Sequence, residues 1–231
     1  MGLTELSEAL NLSKATVLRL ASTLCKHGFL NQDSQSKKYS LGVKLFELGS
    51  IVYNSFSLRK TASRHLRLLH EKVGKTVFLG ILQGDELLYL DKKENLANPI
   101  RFASNIGTRR PPHFGMLGQV LMAHLSEGEV QRLLRKYPLT AFTKRSMTSE
   151  HVFKEKLQEV RRQGFVAEDG VALEGIGGIA APVRDFSGSV VGAIGIGFLL
   201  ASVSAKDLKV LTKEILETAT TIGHELGHAG A

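Results

Sequence analysis

The chain has 231 residues, of which 43% are hydrophobic, and its formal net charge is +8. This length allows one large domain or two modest ones, each with a buried core. No segment approaches the roughly 20 apolar residues of a membrane span, and the first residues lack the layout of a signal peptide, so we expect a cytoplasmic protein without membrane contact. The single cysteine, Cys25, excludes an internal disulfide and a metal site built from cysteines.

Two short amphipathic segments near the start predict a helix-turn-helix. The segment TELSEAL predicts a helix capped by Thr4, and SKATVLRLASTLCKHG predicts a second one that is capped by Ser13 and ended by Gly28. Three residues separate the two helices, which is typical of helix-turn-helix geometry. Apolar residues of the second helix recur at the helical period and are expected to form one buried stripe: Val17, Leu20, Ala21 and Leu24.

The next segment, FLNQDSQSKKYSLG, predicts a basic β-hairpin, or wing. Residues 1–60 carry a net charge of +4, nearly three times more per residue than the rest of the chain. Two helices and a basic wing favour DNA binding, with the second helix in the major groove. The alternative is a helical hairpin with a solvated charged face. The predicted DNA contacts are Ser13, Lys14, Thr16, Arg19, Ser22, Lys26, Lys37, Lys38 and Tyr39.

Downstream, the pattern predicts an apolar linker helix over 43–56 and then a longer helix ended by Gly74. The longer helix turns one apolar side inward, formed by Leu58, Ala62, Leu66 and Leu69. A β-hairpin broken at Gly84 and Asp85 follows, and IRFAS predicts a further strand. The organisation is therefore a DNA-binding domain over 1–42, a linker over 43–57 and a second domain over 58–231.

The second domain is expected to be of the α+β class. A loop, NIGTRRPPHFG, precedes three predicted helices: MLGQVLMAHL, SEGEVQRLLRKY and TSEHVFKEKLQEVRRQG. Three strands come next, FVAED, GIAAPVRD and VVGAIGIGF, and a closing helix runs from Ser204 to about Gly223. An antiparallel sheet with helices packed against it is typical of small-molecule sensor domains.

Four segments resemble the IclR family of bacterial transcriptional regulators in order: LTELSEALNLSKATVLRLASTL, YSLGVKLFELG, RRPPHFGMLGQVLMA and GFVAEDGVALEGIGGIAAPVRDFSGSVVGAIGIG. The resemblance covers nearly the whole chain. It implies a winged helix-turn-helix joined by a helical linker to a GAF-like effector domain. It also implies a homodimer or homotetramer that binds a pseudo-palindromic double-stranded DNA operator and responds to a small-molecule effector, an acid or an aromatic compound.

The chain departs from the family pattern at its start. Family members have a further helix before the helix-turn-helix, whereas Met1 and Gly2 lead directly into Leu3 here. Without that helix, Leu6, Leu10, Val17 and Leu20 are expected to lose a neighbour. The second hypothesis is therefore a ligand-sensing oligomer with impaired DNA binding.

The resemblance also places an effector site, at Met116, Leu117, Glu168, Gly178, Gly195 and Gly197. Several relatives carry polar or thiol side chains where this chain has the three glycines. Missing side chains leave space, which favours a ligand larger or more apolar than a two- or three-carbon acid; alternatively, the glycines permit close packing of strand on helix. Glu168 is expected to accept a ligand hydroxyl or amine, or else to be an exposed loop acid.

Other residues near this site leave alternatives open. Arg101, Arg109 and Arg110 would pair with a ligand carboxylate, or lie at the surface or in an interface. Two further motifs do not support an enzyme. HELGH, 224–228, fits a zinc-protease pattern but lacks a third ligand, and GIGGIA, 175–180, fits a dinucleotide loop but is followed by a strand. We expect no catalytic residue, no resident metal and no cofactor.

Overall fold

The computed structural model describes residues 1–55, 57–94, 102 and 104–229, with the backbone alone described at 50–55 and 57. Phe56, Arg101 and most of the strand predicted in IRFAS lie outside the described residues. The chain divides into two compact units, Met1–Ser57 and Leu58–Ala231. Each is described by itself below.

The first unit is a helix-turn-helix followed by a wing. Helix α1 spans Leu3–Leu10, α2 spans Lys14–Lys26, strands β1 and β2 span Leu30–Gln32 and Tyr39–Leu41, and α3 spans Val43–Ser55. The two strands pair antiparallel, which confirms the predicted hairpin. Ser13 caps α2, since its Oγ accepts a hydrogen bond from the N–H of Thr16 at 3.2 Å. Gly28 follows α2 with φ of 74°, as predicted for a helix stop.

Two details of the first unit differ from the sequence-based expectation. Thr4 lies inside α1, because the helix begins at Leu3 and its N-cap is Gly2 instead of Thr4. The apolar stripe of α2 is only half covered: Val17 and Ala21 are buried, whereas Leu20 and Leu24 are 47% and 41% exposed. Period alone places these four side chains on one side of the helix, but their burial depends on what packs there.

The second unit is built on one antiparallel sheet. Helix α4, Ser57–Val73, precedes the hairpin of β3, Thr76–Gln83, and β4, Glu86–Lys93. The remaining elements are β5 at Arg109–Arg110, α5 at Gly115–Ala123, α6 at Glu127–Lys136, α7 at Glu150–Gln163, β6 at Val166–Asp169, β7 at Ile176–Arg184, β8 at Val190–Leu199, a short 3₁₀ turn at Leu200–Ser202 and α8 at Ala205–Glu225. The described strands lie in the order β5, β4, β3, β8, β7, β6. The predicted α+β class is thus confirmed, although sequence reasoning placed β5 in a loop.

Helices cover both faces of this sheet. Helix α5 packs on β3, β6, β7 and β8. Side chains alternate along a strand, so Gly195 and Gly197 of β8 face α5, while Gly192 lies on the other face, next to Leu58 of α4. Helix α8 packs on β7 and β8 and is tied to α4 by the Lys72–Glu214 salt bridge, at 2.5 Å. The sheet is therefore sandwiched between α5 on one side and α4 with α8 on the other.

The inward side of α4 provides a test of this packing. Leu66 is fully buried, whereas Leu68, two residues along the same helix, is 47% exposed. We expect Leu66→Ala to lower the free energy of unfolding by about 2–5 kcal/mol, because it leaves a cavity in the core. Leu68→Ala is the matched control and should cost under about 0.5 kcal/mol. Urea denaturation of both variants measures the difference, and equal losses would contradict the assigned orientation of α4.

Candidate functional site

The exposed side of α2 presents cations that are free to meet a partner. Lys14, Arg19, Ser22 and Lys26 are all exposed. In the described part of the chain, Lys14, Arg19 and Lys26 form no salt bridge, whereas Lys44 of α3 is paired with Glu47 at 2.7 Å. Ser13 and Thr16 at the start of α2 are bound to each other, with 2.9 Å between their hydroxyl oxygens. An anionic surface that approaches α2 therefore meets positive charge that no acid of the chain neutralises.

The wing holds its two lysines at a tight turn. Oδ1 of Asp33 accepts hydrogen bonds from the N–H and the hydroxyl of Ser36, both at 2.6 Å, and these bonds lower the pKa of Asp33. Lys37 follows with φ of 54°, and both Lys37 and Lys38 point their side chains into solvent. Tyr39 differs from expectation. Tyr39 is only 8% exposed, so its side chain is not presented to DNA as Lys37 and Lys38 are, and its backbone exchanges hydrogen bonds with that of Met1.

A second candidate site lies where the N-terminus of α5 meets the sheet. Glu168 of β6, Gly178 of β7 and Gly197 of β8 are neighbours in one row across three strands. Paired residues of an antiparallel sheet face the same side, which here is the side of α5. A cavity of about 40 Å³ opens at this point. Its walls include Phe78, Tyr89, Phe102, Phe114, Met116 and Glu168.

Glu168 supplies the charge of this cavity. Its half-buried side chain lines the cavity, and Oε2 accepts a hydrogen bond from Nε2 of the buried Gln119 at 3.2 Å. Burial raises the pKa of Glu168 to about 7, since the charged carboxylate loses water; the backbone N–H of Met116 offsets part of this effect. The carboxyl of Glu168 can accept a hydrogen bond from a ligand hydroxyl or amine in a cavity lined mainly by aromatic and aliphatic side chains. Glu168 is not the exposed loop acid that sequence reasoning left as an alternative.

The predicted effector residues divide into two groups. Met116, Glu168 and Gly197 line the cavity. Leu117 is buried in the core, and Gly178 and Gly195 lie behind the Met116 side chain. The expectation of open space above the glycines is wrong. A Cβ at Gly178 would collide with Sδ of Met116, and one at Gly197 would lie 2.9 Å from the Phe102 ring. The glycines permit close packing in this structure.

Arg109 and Arg110 are not among the described residues that line the cavity. Arg109 is exposed and donates to Glu86 Oε2 and to the carbonyl of Gln83, both at 3.2 Å. The guanidinium of Arg110 lies 5.1 Å from the centre of the Phe114 ring. Among the described residues that line the cavity, none is a lysine or an arginine. A ligand carboxylate therefore finds no cationic partner among them.

Sequence reasoning missed five residues that line the cavity, Phe78, Tyr89, Phe102, Ser104 and Phe114, and also Gln119, which binds Glu168. They lie on four separate segments that come together only in the fold. Phe78 and Tyr89 belong to neighbouring strands, and their rings meet edge to face at 5.8 Å. The alternation of apolar and polar residues predicted the two strands that contain Phe78 and Tyr89. It did not indicate which face of the sheet would form a cavity.

The two rejected motifs adopt ordinary structure. Helix α8 ends at Glu225, inside HELGH, and Glu225 binds Nε2 of His65 at 2.9 Å. GIGGIA enters strand β7, without the helix that a dinucleotide loop requires. Over the described residues, no group of three or more His, Cys, Asp and Glu side chains is placed to hold a metal ion. Nor does that part of the chain contain a helix long and apolar enough to cross a bilayer.

The raised pKa of Glu168 predicts a pH dependence. Its usual pKa is 4.5, so between about pH 4.5 and 7 the folded chain keeps a proton that the unfolded chain has released. Stability contributed by this group is therefore lost as the pH rises through that window, by roughly 3 kcal/mol in total. Glu168→Gln removes the titration. Urea denaturation at pH 5 and pH 8 should show that the variant gains stability relative to the wild type at pH 8, and parallel pH profiles would contradict the burial of this carboxyl.

Comparison with known proteins identifies the family to which the chain belongs. The family model described as the C-terminal domain of the bacterial transcriptional regulator IclR matches residues 51–224, and the IclR helix-turn-helix domain matches 1–34. The transcriptional regulators XynR and KdgR of Escherichia coli (strain K12) are both 32% identical, covering 98% and 99% of this chain and 89% and 86% of their own length. The crystal structure of Thermotoga maritima IclR covers 99% of this chain and 92% of its own at 26% identity, with a TM-score of 0.81. The chain belongs to the IclR family of transcriptional regulators.

Proposed function

We propose that this IclR-family regulator binds a pseudo-palindromic operator as a homodimer or homotetramer, and that a small organic effector in the second unit controls its occupancy. The observation that carries the proposal is the set of unpaired cations on α2 and the wing. In the same chain, the cavity at Glu168 offers a place for the effector. The proposal assigns no catalytic residue, since the relatives named above are transcriptional regulators.

The DNA contacts follow from the geometry of α2. Its first turn, with Lys14, reaches base edges in the major groove, while Arg19 and Lys26 on the helix and Lys37 and Lys38 on the wing bind phosphates. A dimer carries two such helices. Half-sites therefore lie about 34–36 Å apart, or a multiple of this distance, on one side of the duplex.

The effector binds at the N-terminus of α5, with Glu168 accepting a hydrogen bond from it. The aromatic walls favour a compound with an apolar or aromatic body. Effector binding shifts the second unit, and the linker over 43–57 transmits this shift to the spacing of the two α2 helices. In this proposal the domain 1–42 binds the operator, and the domain 58–231 binds the effector.

A second function is favoured by one observation on the first unit. Leu10, Leu20 and Leu24 are each more than 40% exposed there. An apolar surface of this kind weakens a small domain, because each leucine left uncovered forgoes about 1.5–3 kcal/mol of burial. The alternative is therefore a ligand-sensing oligomer with impaired DNA binding. Equal affinity for the DNA upstream of its own gene and for a random duplex would favour this alternative.

The role of the wing is tested by the salt dependence of DNA binding. Each phosphate contact releases counterions, so removing one lowers the slope of log K against log salt by about one. We expect Lys37→Ala and Lys38→Ala each to show this reduction. Fluorescence anisotropy on the duplex upstream of the gene, at salt concentrations of roughly 50 to 200 mM, measures it.

The control is Lys213→Ala, which removes an exposed lysine, paired with Glu217 at 3.7 Å, from α8 of the second unit. Its slope should equal that of the wild type. Unchanged slopes in both wing variants would remove the wing from the DNA contacts, and a reduced slope in the control would show that the effect comes from net charge alone.

A further inference from the structure

The inference concerns Met116 and rests on the proposed effector site. Met116 is the second residue of α5, and its thioether lies directly over the sheet. A Cβ built on Gly178 would collide with its Sδ, and one built on Gly195 would lie 2.9 Å from its Cε. The side chain thus fills the room that these two glycines provide. Part of the protein therefore occupies the proposed site.

The remaining space is too small for an organic ligand. A cavity of about 40 Å³ holds a few water molecules at most. Small-molecule sites have volumes of roughly 300–1,000 Å³. An effector of several heavy atoms therefore enters only if a wall moves.

Met116 is a wall that can move at low cost. The Phe78 ring is 2% exposed and packs edge to face against Tyr89 and Phe102, with ring centres 5.8 and 5.4 Å apart. Backbone of Gly178 and Gly195 is fixed by pairing within the sheet. Met116 is only half-buried, and its side chain has three rotatable bonds and no hydrogen-bonded group.

The polar chemistry of the site narrows the ligand class. Glu168 accepts hydrogen bonds from Nε2 of Gln119 and from the backbone N–H of Met116, and it keeps further lone pairs for a ligand donor. Within the described lining, no lysine or arginine stands ready for a carboxylate. A neutral compound with a hydroxyl group on a small apolar or aromatic body matches these walls.

We propose that Met116 is the size gate of the effector site: its thioether is displaced by a small hydroxyl compound that takes its place above Gly178 and Gly195 and donates a hydrogen bond to Glu168. Met116 is then a determinant of specificity. Shortening it widens the range of ligands, and the hydroxyl preference depends on Glu168.

Calorimetry on the full chain tests the gate with two probes of equal shape, phenol and toluene. Met116→Ala should bind phenol at least tenfold more tightly than the wild type and prefer phenol to toluene at least tenfold. Met116→Val should show a smaller gain in the same direction, which keeps the test open if the alanine variant is unstable. Combining Met116→Ala with Glu168→Met should remove the preference for phenol.

Leu134→Ala is the control, because Leu134 is 1% exposed and is not among the described residues that line the cavity. It should gain no preference for phenol. Equal binding of phenol and toluene by Met116→Ala would show that the opened space is an apolar cavity without a preference for a hydroxyl group, and it would overturn the proposal. The absence of a gain in affinity in both shortened variants would also overturn it.

A DNA measurement separates this proposal from the proposed function. If Met116→Ala prefers phenol and phenol also changes its affinity for the upstream duplex, both are supported. If the preference is present but DNA affinity is unchanged, the gate is supported and the regulatory role of the site is contradicted. If the preference is absent while specific DNA binding persists, the gate alone fails.

Discussion

The second unit depends on the close approach of α5 to a sheet that carries glycines beneath it. A side chain at Gly178 or Gly195 would displace the thioether of Met116, which packs directly against these glycines. A second close approach lies between α5 and the loop that precedes it, where a Cβ at Gly118 would collide with the carbonyl of Pro112. Close packing brings the N-terminus of α5 over Glu168 and excludes water there. The raised pKa of that carboxyl is a direct consequence.

In the first unit the main feature is the positive charge on α2 and the wing, which faces solvent. Ser13 and the turn at Asp33 fix the ends of α2 and the wing, so cations on both are held on ordered backbone. Their positive charge finds no acid partner within the described residues. When such unpaired charges bind a polyanion, counterions are released, and the affinity therefore depends on the salt concentration. The two units therefore supply different chemistry, with ionic contacts in one and aromatic burial in the other.

Sequence reasoning predicted local structure better than tertiary contacts. Caps and stops such as Ser13, Gly28 and Gly74 depend on a few neighbouring residues, so the pattern predicted them well. Burial of Leu20 depends on what packs against α2, and period does not contain that information. The glycines of β7 and β8 show the same limit: a missing side chain indicates room, but the sequence does not reveal that Met116, more than 60 positions earlier, fills it.

The central claim is that the site at Glu168 controls DNA occupancy. The most direct measurement is fluorescence anisotropy of the upstream duplex with the full chain, titrated with those compounds from a panel of alcohols, phenols and acids that stabilise it thermally. The account predicts that these compounds change the occupancy of the wild type and have no effect on Glu168→Met. An equal response of the two proteins would contradict it, because the effector would then act from another place.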